Sequence, residues 1–243
     1  MKIHGIICVK NEASRYLDSC LSWMGHIVDD IFVYDDRSTD NSVGIAIDNG
    51  CDVFIRPISI PSFIEHEGRF RSAAWSSFQK IASPSLGDWI LAFDSDEFLV
   101  SDTDVRGSLY KSISYAENHG NIGVLLHFPE VFKFVNNRAF IRTDGFWDSI
   151  YGPRLFAYKP DATWNDKPMA CGSQPEYVAR GSLSTETFGL KMLHFGYASD
   201  DDKKIKYERY SSLYNHGHSN KHIESILSAP VLEEWHGITP PLN

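Results

Sequence analysis

The stretch that decides the fold is residues 89–98, WILAFDSDEF. Its first five residues are apolar, as in a β-strand that is buried on both faces of a parallel sheet. The apolar run stops at Asp94, and the carboxylates of Asp96 and Glu97 follow at once. Ligands of an open parallel sheet bind beyond the carboxyl ends of its strands. The stretch therefore predicts a buried strand that carries an acidic cluster to a binding site.

Strand and helix patterns alternate through the rest of the first hundred residues. Continuous apolar runs predict strands at residues 3–9, 31–34, 52–55 and 89–93, and helical spacing of apolar side chains predicts helices at residues 12–24, 40–49 and 69–82. This alternation implies an α/β fold with a mostly parallel central sheet and right-handed crossovers.

The pattern changes after residue 120. Strands are predicted at residues 123–128, 131–134 and 154–158, and helical segments at residues 202–214 and 222–227. His216 and His218 flank a glycine, which predicts a solvated turn rather than a metal site. No linker is long enough to separate two domains, so we expect one domain over residues 1–200 and a helical extension over residues 201–243.

Composition excludes several classes of protein. The chain has 243 residues, a net charge of −9 and 42% apolar residues, which excludes a disordered or low-complexity protein. The acidic balance argues against a protein that coats nucleic acid. The four cysteines form no CxxC pattern, which favours free thiols in a reducing cytoplasm. No apolar run approaches the roughly 20 residues that span a bilayer, so we expect no transmembrane segment.

A second acidic strand end supports the first. The run at residues 31–34 is followed by Asp35 and Asp36, and then by Asp40. Two aspartates at positions i and i+2 of a turn can face one hard cation, and Mg²⁺ or Mn²⁺ completes its shell with water and substrate phosphates. The alternative is that these carboxylates only cap helices and turns, an interpretation that suits Asp40 best.

Taken in order, these segments resemble GT-A glycosyltransferases, most closely the family 2 enzymes. Residues 9–17 and 31–40 are similar to their N-terminal half, and residues 89–98 are similar to their D-x-D motif in the D-x-D-E-F form of family 92-like enzymes. Weaker similarity follows at residues 153–156 and 193–197. The resemblance implies a GT-A fold, with nucleotide-sugar binding in residues 1–100 and acceptor binding in residues 101–200.

The resemblance also assigns site residues. Those implied to bind the nucleotide are Lys10, Asn11, Glu12, Asp36 and Asp94, and those implied to bind Mn²⁺ or Mg²⁺ are Asp94, Asp96 and His194. Rigid apolar neighbours would hold a neutral imidazole toward a metal, although a core histidine bonded to backbone is the alternative for His194.

Cationic side chains are the next candidates. Arg69 is assigned to the diphosphate by resemblance, and the alternative for Arg69 and its neighbour Arg71 is a salt bridge to Glu65 or Glu67. The lysines at residues 203, 204 and 206 form a basic cluster with Arg209, which either neutralises the leaving diphosphate or is a solvated helix face.

Transfer with inversion requires a carboxylate that deprotonates the acceptor hydroxyl. Asp148 is the predicted base, because its aromatic neighbours offer a sugar platform and would raise its pKa. Glu130 and Asp166 are the alternatives. Trp147 and Trp164 are either acceptor platforms or core residues.

The predicted function is metal-dependent glycosyl transfer from a nucleotide-sugar, with a UDP-sugar as the expected donor, to the hydroxyl of a glycan or another acceptor. One alternative is a catalytically silent module that binds the nucleotide-sugar. Another is a sugar-phosphate nucleotidyltransferase, although the glycine-rich phosphate loop of such an enzyme is replaced here by KNEAS at residues 10–14.

Overall fold

The computed structural model describes residues 1–168, 172–212 and 220–242. Its strands, numbered along the chain, are β1 (Ile3–Val9), β2 (Asp30–Asp35), β3 (Asp52–Ile55), β4 (Trp89–Phe93), β5 (Glu97–Val100), β6 (Gly123–His127), β7 (Val131–Val135), β8 (Arg138–Arg142), β9 (Tyr151–Ala157), β10 (Leu183–Ser184), β11 (Lys191–His194) and β12 (Leu232–Glu234). The helices are α1 (Leu17–Gly25), α2 (Ser42–Asp48), α3 (Glu67–Ala82), α4 (Val105–Asn118), α5 (Glu176–Ala179), α6 (Asp200–Ser212) and α7 (Asn220–Ile226).

The main sheet has the strand order β3-β2-β1-β4-β9-β6-β11-β5, with β10 beside β6. The pairs within β1 to β4 are parallel, and β9 runs antiparallel between β4 and β6. The strands β12, β8 and β7 form a smaller antiparallel sheet. The predicted α/β fold with a mostly parallel central sheet is therefore confirmed.

Boundaries in the first hundred residues follow the prediction closely, except at the first helix. Helix α1 begins at Leu17 rather than at residue 12. The backbone N–H groups of Glu12 and Ala13 instead donate to the side chains of Ser42 and Asp40, at 2.9 and 3.0 Å. Asp40 also accepts from the backbone N–H of Ser42 at the start of α2, as the capping alternative expects.

Several elements were not revealed by the sequence pattern, among them β5 and α4. Strand β5 is four residues long and is buried because it pairs with β11, which comes from almost a hundred residues later. Helix α4 has a polar composition, and its buried stripe includes Leu109, Ile113 and Ala116. Both depend on partners that are distant in sequence.

Helices cover both faces of the main sheet. One face packs against α1 and α4, and the other packs against the aromatic side chains of α3. Trp164 belongs to this second layer, where its ring lies 5.4 Å from that of Trp75. Trp147 is 1% exposed and packs against Phe132 and Tyr197 beneath the smaller sheet. Both tryptophans are therefore core residues and not acceptor platforms.

A few expectations fall at the edge of the described residues. The turn at His216 and His218, the last residues of the helix predicted to reach residue 214, and Cys171 all lie outside them. The other three cysteines are free thiols. Within the part of the chain that the structure describes, no helix is both long enough and apolar enough to cross a bilayer.

His4, on β1, is linked by hydrogen bonds to a carboxylate of β2 and to the carboxylate of the residue that precedes β4. The side chain is 1% exposed, with Nδ1 at 2.6 Å from Oδ1 of Asp30 and Nε2 at 3.4 Å from Oδ2 of Asp88. Burial alone would lower the pKa of His4, but the two carboxylates outweigh it and raise the pKa above its ordinary value of 6.5. The imidazolium therefore stabilises the fold below pH 6.5, and this contribution is lost as the pH rises through the pKa of the folded state.

The substitution His4→Gln should lower the free energy of unfolding by about 1–3 kcal/mol at about pH 6. The loss should be smaller at about pH 9, because the contribution of the imidazolium is lost as the pH rises through the pKa of the folded state. Urea unfolding at the two pH values measures this, with the exposed His26→Gln as control. A loss that stays constant between the two pH values would contradict the assignment.

Candidate active site

A cleft of about 610 Å³ lies beyond the carboxyl ends of β1, β2 and β4. Charged side chains line much of it. The carboxylates are Glu12, Asp36, Glu67, Asp94, Asp96 and Glu97, and the cationic side chains are Lys10, Arg15, Arg71, Arg154, Lys206 and Arg209, with His194 beside them. The cations equal the carboxylates in number, so an anionic ligand would meet a wall far less negative than the chain as a whole, whose net charge is −9.

The loop after β1 is fastened to the loop after β2. Asn11 adopts a φ of 55°, and its Oδ1 accepts from the backbone N–H of Thr39 at 2.8 Å. Lys10 Nζ donates to the backbone oxygen of Asp36 at 2.6 Å. Lys10 and Glu12 line the cleft, while Asn11 binds the neighbouring loop. Of these three predicted nucleotide-binding residues, the structure places two in the cleft wall.

Asp36 is 3% exposed, and both of its carboxylate oxygens have partners within the protein. Oδ1 accepts from Arg56 Nε, and Oδ2 accepts from the backbone N–H of Phe63 at 3.1 Å. The predicted nucleotide-binding carboxylate therefore lies in the cleft and also holds its wall in place.

Glu97 fixes the D-x-D turn from the first residue of β5. Its Oε2 accepts from the backbone N–H of Asp94 at 3.1 Å and from Arg154 Nε at 3.0 Å, and its Oε1 accepts from Arg154 Nη2. Arg154 lies on β9, the neighbour of β4 in the main sheet. A buried pair is little screened by solvent, so this pair ties the turn firmly to the sheet.

Asp96 is surrounded by nitrogen atoms. Its carboxylate lies 3.7 Å from Arg15 Nη2, 3.7 Å from Lys206 Nζ and 3.5 Å from His194 Nε2. Burial alone would raise the pKa of Asp96, but these neighbours, Lys206 first among them, hold it well below its ordinary value. Asp96 is therefore ionised across the physiological pH range.

The three predicted metal ligands meet in the cleft, but they do not form a metal-binding set. Among residues 1–168, 172–212 and 220–242, no three His, Cys, Asp or Glu side chains are grouped to hold a metal. Asp94 Oδ2 lies 3.5 Å from Arg154 Nη2, and Asp96 and His194 both face Lys206. As arranged, the donors do not fit Mn²⁺ or Mg²⁺.

The two arginines of α3 have different surroundings. Arg69 is mostly exposed and donates to Asp166 from Nε at 3.0 Å, which places it outside the cleft. Arg71 lines the cleft, pairs with Glu67 at 2.8 Å and lies over the ring of Phe63. The structure therefore brings Arg71, and not the predicted Arg69, to the candidate site.

The predicted general base lies away from the cleft. Asp148 is an exposed residue of a 3₁₀ helix at Gly145–Ser149, and its backbone oxygen accepts from His127. Of the two alternatives, Asp166 pairs with Arg69. Glu130 is buried, and its Oε2 accepts from His194 Nδ1 at 2.6 Å.

Sequence reasoning missed two cations that organise the site. Arg15 donates to Glu12 and to Asp202 on α6, at 3.0 and 2.7 Å, and so connects the loop after β1 to the C-terminal helix. Arg154 holds the D-x-D turn. The weak similarity at residues 153–156 was the one signal that could have found Arg154. Arg15 lies in a segment that was predicted to be helical, and no sequence signal marked it as a site residue.

The chain is similar in part to proteins that are named as glycosyltransferases. Over 98 residues the chain is 35% identical to an uncharacterized glycosyltransferase of Rickettsia felis, which covers 40% of this chain and 30% of that protein. Over 238 residues it is 24% identical to an uncharacterized protein of Mycobacterium tuberculosis, which covers 92% of this chain and 54% of the relative. The chain thus spans from about a third to about half the length of these relatives. No protein-family model matches it.

The fold is found in a solved structure. The crystal structure of TarS from Staphylococcus aureus aligns with a TM-score of 0.50 and 14% identity, over 93% of this chain and 42% of that one. At this identity the similarity concerns the fold alone. Together with the curled, mostly parallel sheet, it confirms the predicted GT-A fold.

Two arginine–carboxylate pairs of similar geometry allow the contribution of Arg154 to be measured. Arg154→Met leaves the buried Glu97 without its main partner and should lower the free energy of unfolding by about 3–5 kcal/mol. Arg69→Met breaks the exposed pair with Asp166 and should cost far less. Urea unfolding of both variants measures the difference. Equal losses would show that the Arg154 pair does not fix the turn.

Proposed function

We propose that this chain transfers a glycosyl group from a nucleotide-sugar to an acceptor hydroxyl. The observation that carries the proposal is the cleft at the strand ends of a GT-A fold, where the D-x-D turn faces gathered cations. Similarity to a protein named as a glycosyltransferase supports the same chemistry. The expected donor is a UDP-sugar.

We assign the nucleoside and the diphosphate of the donor to two different regions of the cleft. Lys10, Glu12 and Asp36 form the side nearest β2, and we assign the nucleoside to it. The diphosphate then faces cations, among which Arg71 has the planar guanidinium that suits phosphate oxygens. The D-x-D turn lies between these two sides.

The reaction forms a bond between the acceptor oxygen and the anomeric carbon of the donor, and it breaks the bond from that carbon to the diphosphate. Negative charge grows on the leaving diphosphate, so cations fixed in advance lower the barrier. Inversion, which we include in the proposal, also requires a base for the acceptor proton. Asp148, Glu130 and Asp166 do not line the cleft, and the proposal assigns that role to none of them.

The C-terminal extension belongs to the working unit in this proposal. Helix α6 contributes Lys206 and Arg209 to the cleft, and β12 completes the smaller sheet beside β8. We propose a GT-A domain over residues 1–200, in which residues up to about 100 bind the donor. Residues 201–243 complete the site of this domain.

The first test is a screen of nucleotide-sugars for release of the nucleoside diphosphate without acceptor. The proposal predicts slow release from one donor class, with a UDP-sugar the expected one. Release of pyrophosphate from a sugar phosphate and a nucleoside triphosphate would instead indicate a nucleotidyltransferase. Binding with no release, across a broad acceptor panel, would indicate a silent binding module.

Arg71→Gln tests the cleft itself. Removal of this guanidinium should weaken UDP binding by about tenfold or more, because a charge-assisted contact with the diphosphate is lost. Titration calorimetry measures the Kd, and thermal unfolding confirms that the variant is folded.

Arg69→Gln is the matched control, two positions away on the same helix but outside the cleft. Its Kd for UDP should equal that of the wild type. If Arg69→Gln weakened binding and Arg71→Gln did not, the site would lie on the other side of α3.

A further inference from the structure

The ammonium group of Lys206 has a dedicated place in the cleft. Nζ lies 3.1 Å from Nε2 of His194, 3.7 Å from Oδ2 of Asp96 and 4.5 Å from the centre of the Tyr197 ring. Only 16% of the side chain is exposed. A lysine on a solvated helix face would have none of these contacts, so the position of Lys206 is specified by its surroundings.

Gly196 leaves the space that this ammonium occupies. A Cβ on residue 196 would lie 1.8 Å from Lys206 Nζ and 2.4 Å from His194 Nε2. Any other residue would displace the lysine or the imidazole. The chain immediately after β11 is therefore shaped to admit both nitrogen atoms side by side.

The ammonium group can only donate, since it has three N–H donors and no acceptor. It lies 3.1 Å from Nε2 of His194, and the other ring nitrogen, Nδ1, lies 2.6 Å from Oε2 of Glu130. The Asp96 oxygen, at 3.7 Å, is beyond hydrogen-bond reach. Lys206 therefore keeps donors for an incoming oxygen while Asp96 compensates its charge.

The ammonium group of Lys206 occupies the place where a divalent cation would bind. Mg²⁺ needs ligand distances of about 2.1 Å, and its predicted ligands include the two atoms that already face the ammonium. Arg15 approaches the same oxygen of Asp96, at 3.7 Å. A metal ion at this place would have to displace a positive charge that the protein itself provides.

We propose that the ammonium of Lys206, seated between Asp96 and His194, binds the diphosphate of the donor in place of a divalent cation. The inference rests on the proposed function and specifies how the same site neutralises the leaving group. Arg15, which bridges Glu12, Asp96 and Asp202, is the positioning residue that holds α6 against the D-x-D turn.

The test is the binding of UDP, GDP and CDP to the full chain by titration calorimetry, in EDTA and in Mn²⁺. The nucleotide that binds should do so in EDTA, with a Kd within about threefold of that in Mn²⁺. Lys206→Met should weaken this binding by about a hundredfold in EDTA. Lys204→Met, an exposed lysine of the same helix, should leave it unchanged.

The variant Lys206→Arg shows whether the weaker binding of Lys206→Met comes from the lost charge or from a loss of folding. It keeps a cation at the site and should recover part of the affinity that Lys206→Met loses, while thermal unfolding confirms that both variants are folded. Equal affinities of Lys206→Met and the wild type would overturn the inference.

The outcome in EDTA distinguishes the two proposals. Binding that EDTA abolishes and Mn²⁺ restores would overturn the role of Lys206 and leave the proposed function standing. No binding of any of the three nucleotides in either buffer would overturn both.

Discussion

The compensation of buried carboxylates at the ends of the parallel strands is the constraint on which the rest of the structure depends. The fold buries Asp36, Asp96 and Glu97 at one edge of the sheet, beside the partly exposed Asp94, and like charges in a poorly solvated space repel each other. Each carboxylate is met by a cation from elsewhere: Arg56 for Asp36, Arg154 for Asp94 and Glu97, and Lys206 with Arg15 for Asp96. Without these partners the strand ends could not be buried together.

The same compensation links the fold to the proposed chemistry. Arg56 directly follows β3, but the other partner cations come from β9, from the loop after β1 and from α6. The site is therefore complete only when the C-terminal half has packed against the N-terminal half. Cations held in place by carboxylates do not need to reorganise when negative charge develops on a leaving group. A cleft arranged in this way suits a diphosphate. Because Lys206 lies beside Asp96, its ammonium group is the candidate to neutralise the negative charge of that diphosphate.

The sequence predicted the parts of this arrangement that are local. The strands β1 and β4 were found because each is a continuous buried run, and Asp94 and Asp96 were placed at a strand end because the apolar pattern stops there. It could not reveal that Arg154 holds the D-x-D turn, or which lysine of the predicted basic cluster faces Asp96, since both depend on tertiary packing. Asp148 was chosen for its aromatic neighbours, but the ring of Trp147 packs into the core and leaves the carboxylate exposed outside the cleft. The helix predicted at residues 69–82 was confirmed, yet the resemblance that assigned Arg69 could not show that Arg71 is the arginine that lines the cleft.

The most direct measurement is a crystal structure of the chain with UDP bound, grown from a solution that contains EDTA. The account predicts that the diphosphate lies between the D-x-D turn and α6, with a phosphate oxygen in hydrogen-bond reach of Lys206 Nζ and with Asp96 still facing that ammonium. A diphosphate bound away from the carboxyl ends of β1, β2 and β4, or a Lys206 side chain turned out of the cleft, would contradict it.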